Sequence, residues 1–271
     1  MRFYKYEACG NDYVYFDCRR REIADDKCST IAKSVSDRRF GIGGDGAVFI
    51  CSSGVADAKM KMFNADGSRG AICGNALRCA TKYLRDYGGL KKRRVSIETD
   101  VGNREVTVKE DEFIVNMGEP SFDASLFAAT EEAIDESFTF DRKRTVTLVS
   151  MGNPHCVTFV PRTDFISVPK IGKRICGNDL FFDGANVEFV EVTGENELKM
   201  RVYERGSGET FGCGSGACAA AIAAIRTGRV GSDEITVYMR GGTVKVGFYC
   251  GNVYLIGGAR EVFTGDVKLE I

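Results

Sequence analysis

Two segments of this chain match each other at an offset of 140 residues, and this match limits the possible folds more than any other feature. One segment starts at Met60 and the other at Met200, and each alternates apolar and polar residues before a glycine-rich turn. Each then reaches a Cys-Gly pair, at Cys73 and at Cys213, that opens an alanine-rich stretch. A register kept through strand, turn and helix indicates one α/β unit used twice, with a period far too long for a solenoid.

The same register extends into the rest of the chain. Residues 46–50 match residues 186–190 at the offset of 140, and near the start of each half Asn11 matches Asn153 at an offset of 142. A chain of 271 residues is long enough for two domains, each with its own core. The expected architecture is therefore two similar lobes, joined by an acidic connection.

We place the boundaries of these lobes from the repeat. The predicted N-terminal lobe is 1–117 and the predicted C-terminal lobe is 118–271, with the last few residues free to return to the first lobe. The acidic stretch 118–145 is interpreted as the connection.

Local patterns place the main elements of the first half. Strands are predicted at 2–7 and 13–17, and helices from Asp26 to Arg39 and from Cys73 to about Asp86. Residues 41–46 spell G-x-G-x-x-G, but they follow a helix and precede a strand, which is the reverse of a dinucleotide-binding fingerprint. We interpret them as a tight turn.

The predicted position of the two cysteines suggests a chemical role. Two units related by a local two-fold axis bring equivalent positions face to face across the cleft between them, and such clefts commonly bind small ligands. A cysteine that opens a helix feels partial positive charge, which favours its thiolate. The backbone amides that would cradle an anion beside the two sulfurs belong to Gly74, Asn75, Gly214 and Ser215.

This arrangement favours inversion at the α-carbon of an amino acid. A carboxylate held by both helix N-termini would place its α-carbon between the sulfurs of Cys73 and Cys213. One thiolate would remove the α-proton and the opposite thiol would supply a proton to the other face, while the helix ends stabilise the developing charge. Such a reaction uses no cofactor, and none is expected.

Composition argues against several other classes of function. The formal net charge of −1 gives no attraction for nucleic acid or for a membrane surface, and no apolar run reaches the length of a spanning helix. The N-terminal residues indicate a strand and not a signal peptide, so the 11 cysteines are expected to be reduced, in a cytoplasmic protein. With one histidine and no C-x-x-C pair, no metal site is expected.

Several motifs resemble those of the diaminopimelate epimerases. They are Asn-Ala-Asp-Gly-Ser at Asn64, Cys-Gly-Asn-Ala-Leu-Arg-Cys at Cys73, Gly-Asn-Pro-His at Gly152, and Glu-Arg-Gly-Ser-Gly-Glu-Thr at Glu204 with the following Cys213 motif. The resemblance covers nearly the whole chain. It implies an α/β (α+β) fold of two pseudo-symmetric lobes, each a curved, mostly antiparallel sheet around a central helix, with the active site in the cleft. It also implies interconversion of LL- and meso-diaminopimelate for lysine and cell-wall synthesis.

The resemblance also implies a role for individual residues. Cys73 and Cys213 match the acid/base pair of the family. The residues that match positions holding the substrate, chiefly its distal end, are Asn64, Asn153, Asn186 and Arg205. Those that match positions around the reacting centre are Asn11, His155 and Glu204. This assignment agrees with the chemistry of a distal zwitterion, which needs a guanidinium for its carboxylate and acceptors for its ammonium.

The chain departs from the family pattern at two positions. Gly46 stands where many members have Gln, so a side-chain contact is expected to be lost there. Cys9 replaces a small apolar residue near the site and is expected to add an oxidation-prone thiol.

Two alternative functions stay open from the sequence. A proline or hydroxyproline racemase of the same superfold would act on a substrate that lacks a second zwitterion, and Asn64, Asn186 and Arg205 argue against such a substrate. A non-enzymatic thiol switch or metal-binding module would use Cys79 and Cys218 as well as the cysteine pair. The expected partner is a small-molecule substrate, and a homodimer is compatible with the sequence.

Overall fold

A computed structural model describes residues 1–70 and 72–269, which form two compact units. The first unit comprises Met1–Asn116 with Gly257–Ile271, and the second comprises Met117–Ile256. The lobe boundary between residues 117 and 118 stays a prediction. The compact second unit ends at Ile256, before the last strand of the chain. Within the described ranges, no helix is long and apolar enough to cross a bilayer.

The fold is of the α+β class, mostly sheet, with four α-helices among the described residues. The helices are α1 (Asp25–Ser36), α2 (Gly74–Asp86), α3 (Val168–Cys176) and α4 (Gly214–Arg226). The strands are β1 (Arg2–Ala8), β2 (Asn11–Asp17), β3 (Gly46–Cys51), β4 (Ala58–Asn64), β5 (Arg69–Gly70), β6 (Arg94–Thr99), β7 (Gly102–Lys109), β8 (Glu112–Gly118), β9 (Glu136–Thr139), β10 (Lys143–Ser150), β11 (Pro154–Phe159), β12 (Asn186–Gly194), β13 (Glu197–Glu204), β14 (Gly208–Thr210), β15 (Glu234–Met239), β16 (Gly242–Tyr249), β17 (Asn252–Gly257) and β18 (Arg260–Asp266).

The order of elements in the first unit recurs in the second, so the predicted repeat is confirmed. Helices α2 and α4 begin at Gly74 and Gly214, and strands β6 and β15 begin at Arg94 and Glu234, which keeps the offset of 140 to the residue. Each unit is mostly antiparallel with two parallel pairs among its described strands, β2–β3 and β4–β6 in the first and β11–β12 and β13–β15 in the second. The same local patterns of apolar residues therefore produce the same topology twice.

The C-terminal strand belongs to the first unit because it completes that unit's sheet. Strand β18 pairs antiparallel with β1, with Arg2 opposite Asp266, and Phe3 packs edge-on against Phe263 at 5.8 Å between ring centroids. The pairing of β18 with β1 therefore brings the C-terminal part of the chain back to the first unit.

Helices α2 and α4 occupy corresponding places in the two units. Helix α2 packs against β1, β2, β7 and β18, and α4 packs against β10 to β13, β15 and β16. Every residue of α4 from Gly216 to Ala224 is buried. Alanine lets strands approach such a helix from several sides, which explains why its sequence is apolar around the whole circumference. The first residues of both helices are therefore held firmly by the surrounding sheet.

Helix α1 and the connection between the halves differ from the prediction. Helix α1 ends at Ser36 and not at Arg39, because the Asp37 carboxylate accepts hydrogen bonds from the amides of Arg39 and Phe40 at 2.7 and 2.8 Å and turns the chain. The predicted connection is wrong in its second half, where β9 pairs antiparallel with β10. Phe138 and Phe140, which pack against the core of the second unit, anchor this hairpin.

Buried thiols lead to a prediction about stability at high pH. Burial raises the pKa of Cys18, Cys28 and Cys79 to about 12, from an ordinary value of 9.0. The folded state then keeps protons that the unfolded chain loses, so stability is full below about pH 9 and falls as the pH rises toward 12. Each such thiol is expected to lower the free energy of unfolding by about 1.4 kcal/mol per pH unit in this window.

Urea unfolding under reducing conditions at several pH values from neutral upward measures this slope. The Cys28→Ala variant has one such thiol fewer and is expected to show a correspondingly shallower decline. A free energy of unfolding that stays constant through the alkaline range would contradict the prediction.

Candidate active site

Cys73 lies immediately before helix α2, as its N-terminal cap, with an extended backbone at φ −145°. Its thiol donates a hydrogen bond to Oδ1 of Asn11 at 3.3 Å. Asn11 is the first residue of β2, so the turn between β1 and β2 brings it to the start of α2. The structure therefore brings together two of the residues predicted for the site.

Asp45 fixes the orientation of the Asn11 amide. Asn11 donates from Nδ2 to Oδ2 of Asp45 at 2.7 Å, and Arg38 binds the other carboxylate oxygen at 2.9 Å. With its nitrogen held in this way, the amide presents its oxygen to Cys73. Residues 41–46 are predicted from the sequence as a turn only, so this role of Asp45 was missed, although an acidic residue among four glycines was a visible signal.

Helix α2 carries a buried positive charge that contacts its own first turn. Arg78 is fully buried, and its Nη2 donates to Oδ1 of Asn75 at 2.8 Å. Its Nε and Nη1 atoms have no hydrogen-bond partner among the described residues. A guanidinium keeps its charge in proteins, so it adds to the partial positive charge of the helix N-terminus beside Cys73.

Cys213 is the equivalent cap of helix α4 and is more deeply buried. Its sulfur accepts a hydrogen bond from the amide of Gly216 at 3.3 Å and lies 3.4 Å from the hydroxyl of Ser215. Burial raises the pKa of the Cys213 thiol well above its ordinary range, and the carboxylates of Glu204 and Glu188 raise it further. This surrounding favours the thiol over the thiolate.

Glu204, the last residue of β13, lies beside Cys213. Burial raises the pKa of its carboxyl group, and a hydrogen bond with the Cys213 thiol opposes that rise. The hydroxyl of Thr210 on β14 also donates to Oε1 of Glu204. The antiparallel pairing of β13 with β14 therefore holds Glu204, a predicted neighbour of the reacting centre, against Cys213 of the predicted acid/base pair.

His155 sits at the centre of a buried chain of hydrogen bonds. Its Nδ1 lies 2.7 Å from Oε1 of Glu188, and its Nε2 lies 3.1 Å from Oδ1 of Asn153. Two residues predicted for the site, His155 and Asn153, are thus in direct contact. Glu188 was missed in the sequence, where the signal was a carboxylate inside the apolar strand 186–190.

The residues predicted for the distal end of the substrate make different contacts in the two units. Asn186 accepts a hydrogen bond from the backbone amide of Arg205 at 2.9 Å. The Arg205 guanidinium, which is 41% exposed, donates from Nη1 to the backbone oxygen and carboxylate of Asp183, both at 3.0 Å. In the first unit, Asn64 ends β4 and donates to the hydroxyl of Ser68 at 2.9 Å.

The two departures from the family pattern have structural explanations. Gly46 pairs with Asn64, and a Cβ atom at Gly46 would lie 2.1 Å from the backbone oxygen of Phe63, so this strand pair has no room for a side chain. Burial raises the pKa of the Cys9 thiol, although the nearby charge of Arg78 opposes this rise. The Cys9 thiol is therefore less reactive than the sequence suggested.

The sequence matches the family model described as "Diaminopimelate epimerase" over residues 3–123 and 147–262. The chain belongs to the diaminopimelate epimerase family. A diaminopimelate epimerase of Acetivibrio thermocellus is 42% identical, with 100% of this chain and 99% of that protein covered. One of Methanococcus maripaludis is 41% identical, with 99% of this chain and 100% of that protein covered.

Solved structures from more distant proteins share the fold of this family member. A phenazine biosynthesis protein of the PhzF family from Bacillus anthracis superposes with a TM-score of 0.72 at 18% identity, covering 99% of both chains. A hydroxyproline epimerase from Agrobacterium vitis superposes with a TM-score of 0.67 at 14% identity, covering 98% of this chain and 91% of the other. At these identities the similarity concerns the fold alone.

Proposed function

We propose that this epimerase interconverts LL- and meso-diaminopimelate by a two-base mechanism in which Cys73 and Cys213 exchange protons with opposite faces of one α-carbon. As a member of this family, the protein is an isomerase that acts in the biosynthesis of diaminopimelate and lysine. The observation that carries the mechanism is the equivalence of the two cysteines. Each is the N-cap of the corresponding helix in the repeated unit, and each is followed by glycine.

Helix N-termini provide the charge stabilisation that the reaction requires. Removal of an α-proton places a second negative charge on the substrate carboxylate, and preorganised amide donors lower the energy of that state. In this proposal the amides of Gly74 and Asn75 on α2, and of Gly214 and Ser215 on α4, bind the carboxylate. The buried guanidinium of Arg78 adds positive charge behind the α2 turn.

The surroundings of the two thiols differ, and we assign the more strongly held proton to Cys213, while the Cys73 thiol, which donates to Oδ1 of Asn11, loses its proton when it acts as the base. Burial and two carboxylates raise the pKa of its thiol. Cys73 is less buried, and the charge of Arg78 lies under its helix. Cys73 is therefore the base for the stereoisomer whose α-hydrogen points toward it, and Cys213 supplies the proton to the opposite face.

The distal amino-acid end of the substrate is assigned to polar side chains of both units. We propose that Arg205 binds the distal carboxylate, taking it in exchange for Asp183, while Asn64, Asn153 and Asn186 bind the remaining polar groups. Asn11, His155 and Glu204 then border the reacting centre. We place the enzyme in the cytoplasm, with its small-molecule substrate as its partner, and its sequence is compatible with a homodimer.

Turnover of the predicted substrate tests this function directly. LL-diaminopimelate is expected to be converted to an equilibrium mixture with the meso form, with uptake of one deuterium at the α-carbon in heavy water. Proline and hydroxyproline, which lack a second zwitterion, are expected to show no inversion under the same conditions. Inversion of proline without turnover of diaminopimelate would replace this proposal with the racemase alternative.

A further inference from the structure

Glu188 is an acidic side chain in the interior of the second unit, and the reaction proposed above uses it only through the effect of its charge on the pKa of the Cys213 thiol. It is the third residue of β12, between Val187 and Phe189, and its side chain is fully buried. Burying a carboxylate is costly unless it is paired and hydrogen-bonded, so its place in an apolar strand calls for a specific partner.

That partner is His155, which is also fully buried. The parallel pairing of β11 with β12 sets His155 opposite Asn186, so Glu188 lies one pleat further along the same face. The 2.7 Å contact joins Nδ1 of the imidazole to Oε1 of the carboxylate. Because an ionised carboxylate can only accept, this contact requires the proton to be on Nδ1.

The effect of this contact reaches Asn153 through the other ring nitrogen. With Nδ1 held by Glu188, the ring is oriented so that Nε2 faces Oδ1 of Asn153 at 3.1 Å, and because an amide oxygen can only accept, Nε2 donates in this contact. Asn153 is one of the residues assigned to substrate binding. Glu188 therefore lies two contacts away from a side chain that is assigned to the substrate.

The first turn of α4 is shaped to admit this carboxylate. A Cβ atom at Gly216 would lie only 2.7 Å from Oε1 of Glu188. The carboxylate therefore lies against the positive end of the helix, which stabilises its charge. Its second oxygen, Oε2, is buried with no hydrogen-bond partner in the described part of the chain. An incompletely satisfied buried carboxylate is a liability for stability, which is typical of groups retained for function.

From these contacts we propose that Glu188 is a positioning residue of the epimerase, which holds the His155 ring by accepting a hydrogen bond from Nδ1–H and thereby directs Nε2 at the Asn153 amide, a side chain assigned to the substrate. Its effect on turnover rests on the proposed function. Its effect on the imidazole does not, and can be measured without substrate.

Because His155 is the only histidine of the chain, the protons on its two ring nitrogens can be observed directly. Protein labelled with ¹⁵N in the imidazole ring gives one pair of ring nitrogen signals, and the wild type is expected to show a protonated, strongly hydrogen-bonded Nδ1. Glu188→Gln keeps the shape and a weaker acceptor, so the Nδ1 proton should move upfield. Glu188→Met removes the acceptor, so the hydrogen bond of the Nδ1 proton should be lost from the spectrum. Unchanged imidazole signals in both variants would overturn the proposal.

Steady-state kinetics provides the second readout. Glu188→Gln replaces a charged hydrogen bond by a neutral one, and we expect kcat/KM for diaminopimelate to fall roughly tenfold, mainly through KM. The matched control is Glu191→Gln on the same strand, whose carboxylate binds Thr163 and touches no proposed site residue. A lower Tm for Glu188→Gln with unchanged KM would show a structural role only and overturn the proposal. If the wild type fails to epimerise diaminopimelate, the proposed function falls, and the imidazole spectra alone decide the role of Glu188.

Discussion

Cys73→Ala and Cys213→Ala are each expected to lower the rate of diaminopimelate epimerisation by roughly 10²–10⁴-fold, the usual contribution of a general acid or base. The reason is that inversion needs a proton donor and a proton acceptor on opposite faces of the α-carbon. Either variant leaves only one of them. Formation of meso-diaminopimelate from the LL isomer measures the loss.

Deuterium exchange separates the roles of the two sulfurs more sharply than the overall rate. Each variant keeps one thiol, so each should still exchange the α-hydrogen of the one stereoisomer whose hydrogen points toward that sulfur. The two variants should therefore exchange opposite stereoisomers in heavy water. Exchange of the same isomer by both variants would contradict a two-sided mechanism.

Cys79→Ala and Cys218→Ala are matched controls for these variants. Both cysteines lie on the same two helices and are almost fully buried, with exposed fractions of 1% and 0%. Removing either sulfur leaves a small cavity that costs about 1 kcal/mol of stability, and the rate should stay close to that of the wild type. An equally large loss of activity in these controls would favour the alternative in which all four thiols act together.

Arg205→Ala is expected to raise KM for diaminopimelate by roughly 100-fold with a much smaller change in kcat, because a charged hydrogen-bonded pair with the distal carboxylate is lost far from the reacting carbon. Arg205→Lys restores a point charge without the planar arrangement of donors. Its KM should therefore lie between those of the wild type and of the Arg205→Ala variant. Initial-rate measurements over a range of substrate concentrations give both parameters.

Arg229→Ala serves as the control for loss of a guanidinium in the same unit. Arg229 pairs with Asp135 at 2.9 Å and stacks over Phe159, away from the proposed substrate residues. Its removal is expected to leave KM unchanged. Should Arg205→Ala also leave KM unchanged, the distal carboxylate is not bound by Arg205.

Much of the fold could be predicted because it depends on local patterns. The alternation of apolar residues marks β4 and β13, and the Cys-Gly pairs mark the first residues of α2 and α4, which the structure places one position after the cysteines. The turn chemistry of Asp37 was overlooked, so the end of α1 was set too far along the chain. The hairpin of β9 and β10 was missed because β9 has only four residues, from Glu136 to Thr139.

The partners of the site residues could not be predicted to the same extent. Asp45 and Asn11 are 34 residues apart in the chain, and Glu188 and His155 are 33 apart. Contacts of this kind depend on which strands pair, and in which register, and no local pattern encodes that. Asp45 and Glu188 were therefore visible as unusual acidic residues, while their roles were not.

The sequence by itself determined the repeat, the family and the identity of the two equivalent cysteines, because periodicity and motif spacing are properties of neighbouring residues. Only the tertiary structure decided how these groups are held. It buries Cys213 against two carboxylates, which raise the pKa of its thiol, and it turns the Asn11 amide toward Cys73 through Asp45. It also returns β18 to β1. Burial, strand register and electrostatic environment are set by residues distant in the chain, so they exist only once the chain is folded.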